Sequence, residues 1–222
     1  LLDWSDRNTA VLFGDGAGAV VVEESKKEED GEIFSFVNGL SSDKLDILEV
    51  PNFGSAMDRF NKDEAARVRW TFDGQEIFKG GIRAMAKASD EVITKSGLKK
   101  EDINLLIPHQ ANLRIVEGLE KMLSLPNATT IKKVHKYGNT SAASIPTALV
   151  DALEEGEIKG GEVAVFTAVG AGLSWGACAL RLGERTTPIN TSDAKLPDFD
   201  GKAVDTIRKA IEYQIPEKLD LI

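Results

Sequence analysis

Between residues 74 and 182 the chain alternates helix and strand patterns, and this alternation limits the folds open to it more than any other feature. Gly74 to Ser96 carries Ile77, Phe78, Ile82, Met85, Ala86, Val92 and Ile93 at helical spacing, and Gly97 follows as a stop. Ile103 to Ile107 is a compact apolar strand. Asn112 then reads as the cap of a helix running through Leu123. Thr129 to Val134 reads as a short strand, and Ser141 to Leu153 as a small-residue helix with Pro146 inside it. Val163 to Ala168 is a buried strand, and Leu173 to Leu182 is the last one. Such alternation argues for a layered α/β fold.

Outside this stretch the patterns are shorter. Thr9 to Glu24 reads as a strand, a glycine corner (Gly14-Asp15-Gly16-Ala17-Gly18) and a second, β-branched strand at Ala19 to Val22. Ile33 to Val37 and Leu45 to Val50 read as strands, and residues 51–69 as loop with some helix. Gly183 to Gly201 is polar and aperiodic. Val204, Ile207 and Ile211 then give Ala203 to Ile215 one apolar face, as in a short amphipathic helix.

A net charge of -9 argues against a nucleic-acid partner, because phosphate-backbone binding shows as a basic excess. No apolar run approaches the roughly 20 residues of a membrane span, so no membrane partner is expected. The single cysteine, Cys178, excludes an internal disulfide and fits a reducing, cytoplasmic setting. The N-terminus has no secretory pattern and does not begin with Met, so it reads as the middle of a longer protein.

Five places invite a chemical reading, and each has a plainer one. His109 stands just past the carboxyl end of an apolar strand, where open α/β sheets place ligands. Taken alone, it reads sooner as a histidine that caps the next helix or satisfies a buried carbonyl. Asn139 opens a helix of small residues and by itself is an N-cap. Gly170-Ala171-Gly172 can aim backbone N–H groups at a developing negative charge, or simply reverse the chain between two strands. Lys79, Arg83, Arg114 and Lys121 lie on the two helices flanking this region, either as a basic face or as solvated surface. Cys178, inside an apolar strand, reads as a small hydrophobe and not as a nucleophile. The glycines at 14–18 open no helix, so they lack the context of a dinucleotide cradle. No Cys/His grouping has metal-ligand spacing.

Four segments together resemble the β-ketoacyl-ACP synthase III family. They are Phe13-Gly14-Asp15-Gly16-Ala17-Gly18-Ala19-Val20; Ile107-Pro108-His109-Gln110-Ala111-Asn112-Leu113-Arg114-Ile115; Tyr137-Gly138-Asn139-Thr140-Ser141-Ala142-Ala143-Ser144-Ile145-Pro146; and Ala168-Val169-Gly170-Ala171-Gly172-Leu173-Ser174-Trp175-Gly176. The resemblance runs from about Trp4 to Leu182. It implies the C-terminal half of a thiolase-like fold, a layered mixed β-sheet with helices on both faces, followed by an extension over residues 183–222. It also implies a decarboxylating condensation of an acyl-CoA primer with malonyl-ACP, which starts fatty acid synthesis through a Cys-His-Asn triad. His109 and Asn139 match the family histidine and asparagine. Gly170, Ala171 and Gly172 match the oxyanion loop, with Ala171 where glycine is common. Val169 and Leu173 replace aromatics common in the family, which alters the pocket. Asn112 matches a residue near the pantetheine arm, and Arg114 and Lys79 match positions where the acidic carrier protein docks.

The resemblance further implies no resident cofactor, only CoA and acyl-carrier-protein thioesters as substrates. The family nucleophile lies upstream of the first segment. The chain is therefore expected to need an N-terminal half or partner chain, to be inactive alone, and to associate through its exposed half-interface, as a homo-oligomer if by itself. The other readings are an inactive fragment and a non-catalytic module that binds a carrier protein or pantetheine.

Overall fold

The computed structural model describes residues 2, 4, 6–27, 30–43, 45–51, 70–188, 193–194 and 201–214. Its centre is a five-stranded mixed sheet. The strands are β1 (Glu32–Leu40), β4 (Leu105–Pro108), β5 (Thr129–Thr130), β6 (Val163–Gly170) and β7 (Ser174–Arg181), in the order β1-β7-β6-β4-β5. The strand β4 runs parallel to both β5 and β6, whereas β7 is antiparallel to β6 and to β1. A small two-stranded sheet pairs β2 (Leu48–Glu49) with β3 (Thr71–Phe72). The helices are α1 (Arg7–Ala10), α2 (Gly74–Lys95), α3 (Leu113–Leu123), α4 (Val134–Tyr137), α5 (Ser144–Glu154) and α6 (Ala203–Gln214).

The period of two along the strands sends alternate side chains to opposite faces. Leu106, Val165, Ala177 and Ala179 enter one core with the apolar faces of α2 (Met85, Val92) and α3 (Ile115, Leu119, Leu123). Leu105, Ile107 and Ala164 enter the other core, against Ala148 and Ala152 of α5. Methyl-sized residues on α5 let that helix lie close to the sheet. Pro146 falls in its first turn, where no intrahelical N–H bond is lost. Helices thus cover both faces of a mixed sheet, as the α/β pattern predicts.

The local signals act as expected at α2 and α3. The Asp73 side chain accepts from the Gln75 and Glu76 amides, and Asn112 accepts from Ile115 N at 3.0 Å. Gly97, just beyond α2, has φ +70°.

Three expectations fail. The strand expected over Leu45 to Val50 is a tight helical turn at Leu45–Ile47, with strand pairing only at Leu48–Glu49. Residues 9–24 form no strand pair. Arg7–Ala10 is a helical turn, and Phe13 makes one isolated parallel bridge to Asn139. Val20, Val21 and Val22 are largely exposed. β-branched residues favour a strand only where a neighbouring strand accepts them, and none does so among the described residues. The strand expected over Thr129 to Val134 stops at Thr130 because Gln110 Oε1 captures the Lys133 amide at 2.8 Å. The chain then turns into α4. The expected loop and helix at 51–69 lies, apart from Pro51, outside the described residues.

Candidate active site

The run from Pro108 to Asn112 places five residues in five different roles. Pro108 ends β4, in register with Thr167. The His109 amide donates to Thr167 O at 2.8 Å, so the histidine is fixed to the end of the sheet. Its ring is buried, and Nδ1 lies 2.6 Å from Ser144 Oγ. Gln110 is a staple: its Nε2 donates to Pro108 O (2.7 Å) and Ile131 O (3.1 Å), while its Oε1 takes Lys133 N. Ala111 and Asn112 face the cavity described below, and Asn112 also caps α3.

Asn139 arrives from the other side. Its amide donates to Leu12 O (2.7 Å), and its carbonyl accepts from Gly14 N (3.0 Å). Its side-chain Oδ1 accepts from Ser141 N at 2.9 Å. With Oδ1 occupied, the Nδ2 amide hydrogens remain for a ligand. Behind it, Lys133 bonds Glu155 and Glu157, and Lys136 and Tyr137 bond Asp151. These contacts tie α4 to α5 and hold the turn that carries Asn139. Bonds from Lys133 and Lys136 hold the Glu155 carboxyl down to about 2.

Gly14, Gly16 and Gly18 explain why this turn can lie so close to residues 12–18. A Cβ at Gly14 would overlap Tyr137 O, and one at Gly18 would overlap Pro146. At Gly16 it would press on Thr140 at 3.0 Å. The three alternate with strand period, so they form a bare edge laid along the segment from the end of α4 to the first turn of α5. The sequence reading missed this role, although the spacing of two was visible. It also missed Ser144 and Gln110, whose partners lie far away in sequence.

These groups surround a cavity of about 390 Å³. His109, Asn139, Gly170 and Ala171 line it beside Phe13, Trp70, Phe72, Ile77, Val169 and Leu173. The expected oxyanion loop is the turn of the β6–β7 hairpin, with Gly170 paired to Ser174. Gly170 and Ala171 face the cavity, whereas Gly172 does not line it. A second groove of about 580 Å³ shares Leu12 and Asn112 with the cavity and opens between the N-termini of α2 and α3. Lys79 and Arg114 both line this groove. The structure therefore brings residues of the four separated segments to one site, with positive charge at its mouth.

Burial pushes the His109 imidazole down to about 4, so the ring is neutral near pH 7. Cys178 is half-buried on β7, and burial pushes its thiol up, away from the thiolate. No cluster of metal-ligand residues occurs among the described residues, and no helix among them is long and apolar enough to cross a membrane.

The profile described as 3-Oxoacyl-[acyl-carrier-protein (ACP)] synthase III C terminal matches residues 93–182, and the companion profile for 3-Oxoacyl-[acyl-carrier-protein (ACP)] synthase III matches residues 1–41. The chain belongs to the 3-oxoacyl-[acyl-carrier-protein] synthase III family. Within that family it is 47% identical over 217 residues to β-ketoacyl-[acyl-carrier-protein] synthase III 2 of Vibrio cholerae, covering 96% of this chain and 58% of that protein. It is 43% identical to the Aquifex aeolicus synthase III over 182 residues, covering 81% of this chain and 53% of the relative. The crystal structure of that Aquifex synthase III superposes with a TM-score of 0.68 at 40% identity, over 81% of this chain and 53% of the other. The synthase III of Pseudomonas aeruginosa gives 0.73 at 35% identity, over 84% and 55%.

The fold of this synthase III chain is thiolase-like, and the chain spans little more than half the length of these relatives. The Vibrio cholerae match extends beyond residue 182, where the family profile stops.

Proposed function

We propose that this chain supplies the decarboxylation side of a β-ketoacyl-ACP synthase III site, condensing an acyl primer with malonyl-ACP. The observation that carries the reading is the pairing of a buried neutral imidazole with an oriented amide on one cavity, beside a hairpin turn of small residues. Decarboxylation breaks the bond between the malonyl α-carbon and its carboxylate. CO₂ leaves, and the electron pair passes into the thioester as an enolate. N–H donors from His109, whose ring is buried, and from Asn139 stabilise that oxygen, and such donors act most strongly where water is excluded. The α-carbon then attacks an acyl thioester held by a cysteine outside these 222 residues. The resulting oxyanion meets backbone N–H at Gly170–Ala171, the acyl C–S bond breaks, and thiolate departs.

The groove at the cavity mouth supports the choice of substrate. Two helix N-termini, Lys79 and Arg114 favour an anionic group there. The same charges suit an acidic carrier protein meeting a chain of net charge -9. Asn112, on the wall shared by groove and cavity, stands where a pantetheine arm would pass. The exposed apolar residues Ile33, Phe36 and Leu40 mark the face that meets the cysteine-bearing remainder of the synthase.

Cys178 does not serve as the nucleophile. Assayed alone with acyl-CoA and malonyl-ACP, the 222-residue chain is expected to form no β-ketoacyl product. Together with the remaining half of the Vibrio cholerae relative, it is expected to form it. Product from this chain alone would overturn the assignment.

A further inference from the structure

We propose that Ser144 is a positioning residue that holds His109 in the neutral Nε2–H tautomer. This rests on the condensing role proposed above and adds the group that sets its proton donor. Ser144 Oγ is buried and takes part in two hydrogen bonds among the described residues. One comes from the Gln110 amide at 3.2 Å, and a backbone N–H can only donate. Oγ is therefore an acceptor in that bond. The other joins Oγ to His109 Nδ1 at 2.6 Å.

If Nδ1 carried the imidazole proton, Oγ would accept twice, and its own proton would lack an acceptor in a buried place. With the hydroxyl donating to Nδ1, both polar atoms are satisfied. The ring proton then lies on Nε2, at the opposite side of the imidazole from Ser144. The assignment of one ring nitrogen follows from the bond made by the other.

The same short segment orients the second donor, since Ser141 N holds Asn139 Oδ1. Ser141 does so from φ +53°, an uncommon conformation for a residue with a side chain. One turn, residues 141–144, thus fixes a hydrogen-bond acceptor on Asn139 and a tautomer on His109. What both residues have left to offer the cavity is N–H, as an enolate oxygen requires. In the sequence, Ser144 is marked only by membership of a small-residue run.

Imidazole ¹⁵N spectra of the labelled 222-residue chain test the proposal directly. The chain has two histidines, and His109→Gln identifies the signals of His109. In the unaltered protein at neutral pH, Nε2 is expected to resonate as protonated nitrogen and Nδ1 as a hydrogen-bonded acceptor. In Ser144→Ala, the Nδ1 signal leaves that bonded position, and Ser144→Thr restores it. A protonated Nδ1 in the unaltered protein overturns the proposal, with no variant needing to fold. An unmoved Nδ1 signal in folded Ser144→Ala overturns it too. In the assembled synthase, Ser144→Ala is expected to lower kcat for malonyl decarboxylation roughly tenfold, with KM changed less than about twofold. The spectra need no malonyl substrate, so failure there leaves the condensing role intact. Decarboxylation that survives His109→Ala would instead sink the condensing role and leave the tautomer assignment standing.

Discussion

A single buried imidazole gives this chain a pH signature that can be worked out in advance. His109 titrates near 4 in the folded state against an ordinary 6.5, because burial disfavours its charged form. Between these values the unfolded chain binds the proton more tightly. The stability tied to the neutral ring is therefore complete above about 6.5 and declines as pH falls toward 4, by about 3 kcal/mol in all. Asp151, Glu120 and Glu155 have lowered values, so their contributions are lost only at lower pH, through and below the ordinary carboxylate range. The urea midpoint should thus fall between pH 6.5 and 4.5 in the native chain and stay nearly flat there in His109→Gln. Equal slopes in both proteins would contradict the burial account. At this scale, His109 and Asn139 were legible because their neighbours form recognisable runs. Ser144 and Gln110 were not, because a hydrogen bond across 34 or 21 residues leaves no local pattern.

Among the elements, helices were easier to read than strands for a physical reason. The faces of α2 and α3 and the caps Asp73 and Asn112 are written within a few consecutive residues. A strand also needs a partner. Val20 to Val22 have the residue types of a strand and none of the pairing, and Gln110 ends β5 from outside its own sequence. The glycine edge gives the sharpest test at this scale. A Cβ at Gly14 meets backbone, one at Gly18 meets a proline ring, and one at Gly16 meets a threonine side chain. Alanine substitutions should therefore destabilise in the order Gly14, Gly18, Gly16, with the first two costing about 1–3 kcal/mol. Thermal unfolding measures this. A Gly14→Ala protein as stable as Gly16→Ala would rule out the close approach of residues 12–18 to the end of α4.

For the whole molecule, the uneven cover of the sheet matters most. The face holding Ala148 and Ala152 of α5 is open along β1, where Phe36 aligns with Cys178 and Phe166 across three strands. Ile33, Phe36 and Leu40 are 53%, 71% and 69% exposed, a strip that monomers seldom leave bare. By itself the chain is expected to self-associate, and Phe36→Lys should weaken that association in analytical ultracentrifugation. A monodisperse native monomer would count against an open interface. The sequence foretold such a face only through family resemblance, since no local pattern says which side of a sheet is left uncovered.

In the proposed reaction, His109 and Asn139 act together on a malonyl thioester. The deciding measurement is CO₂ release from malonyl-ACP by the synthase assembled from this chain and a cysteine-bearing half. His109→Ala and Asn139→Ala are each expected to lower the rate by roughly 10²-fold or more, while both proteins still assemble. Release at the native rate from either assembled variant would contradict it.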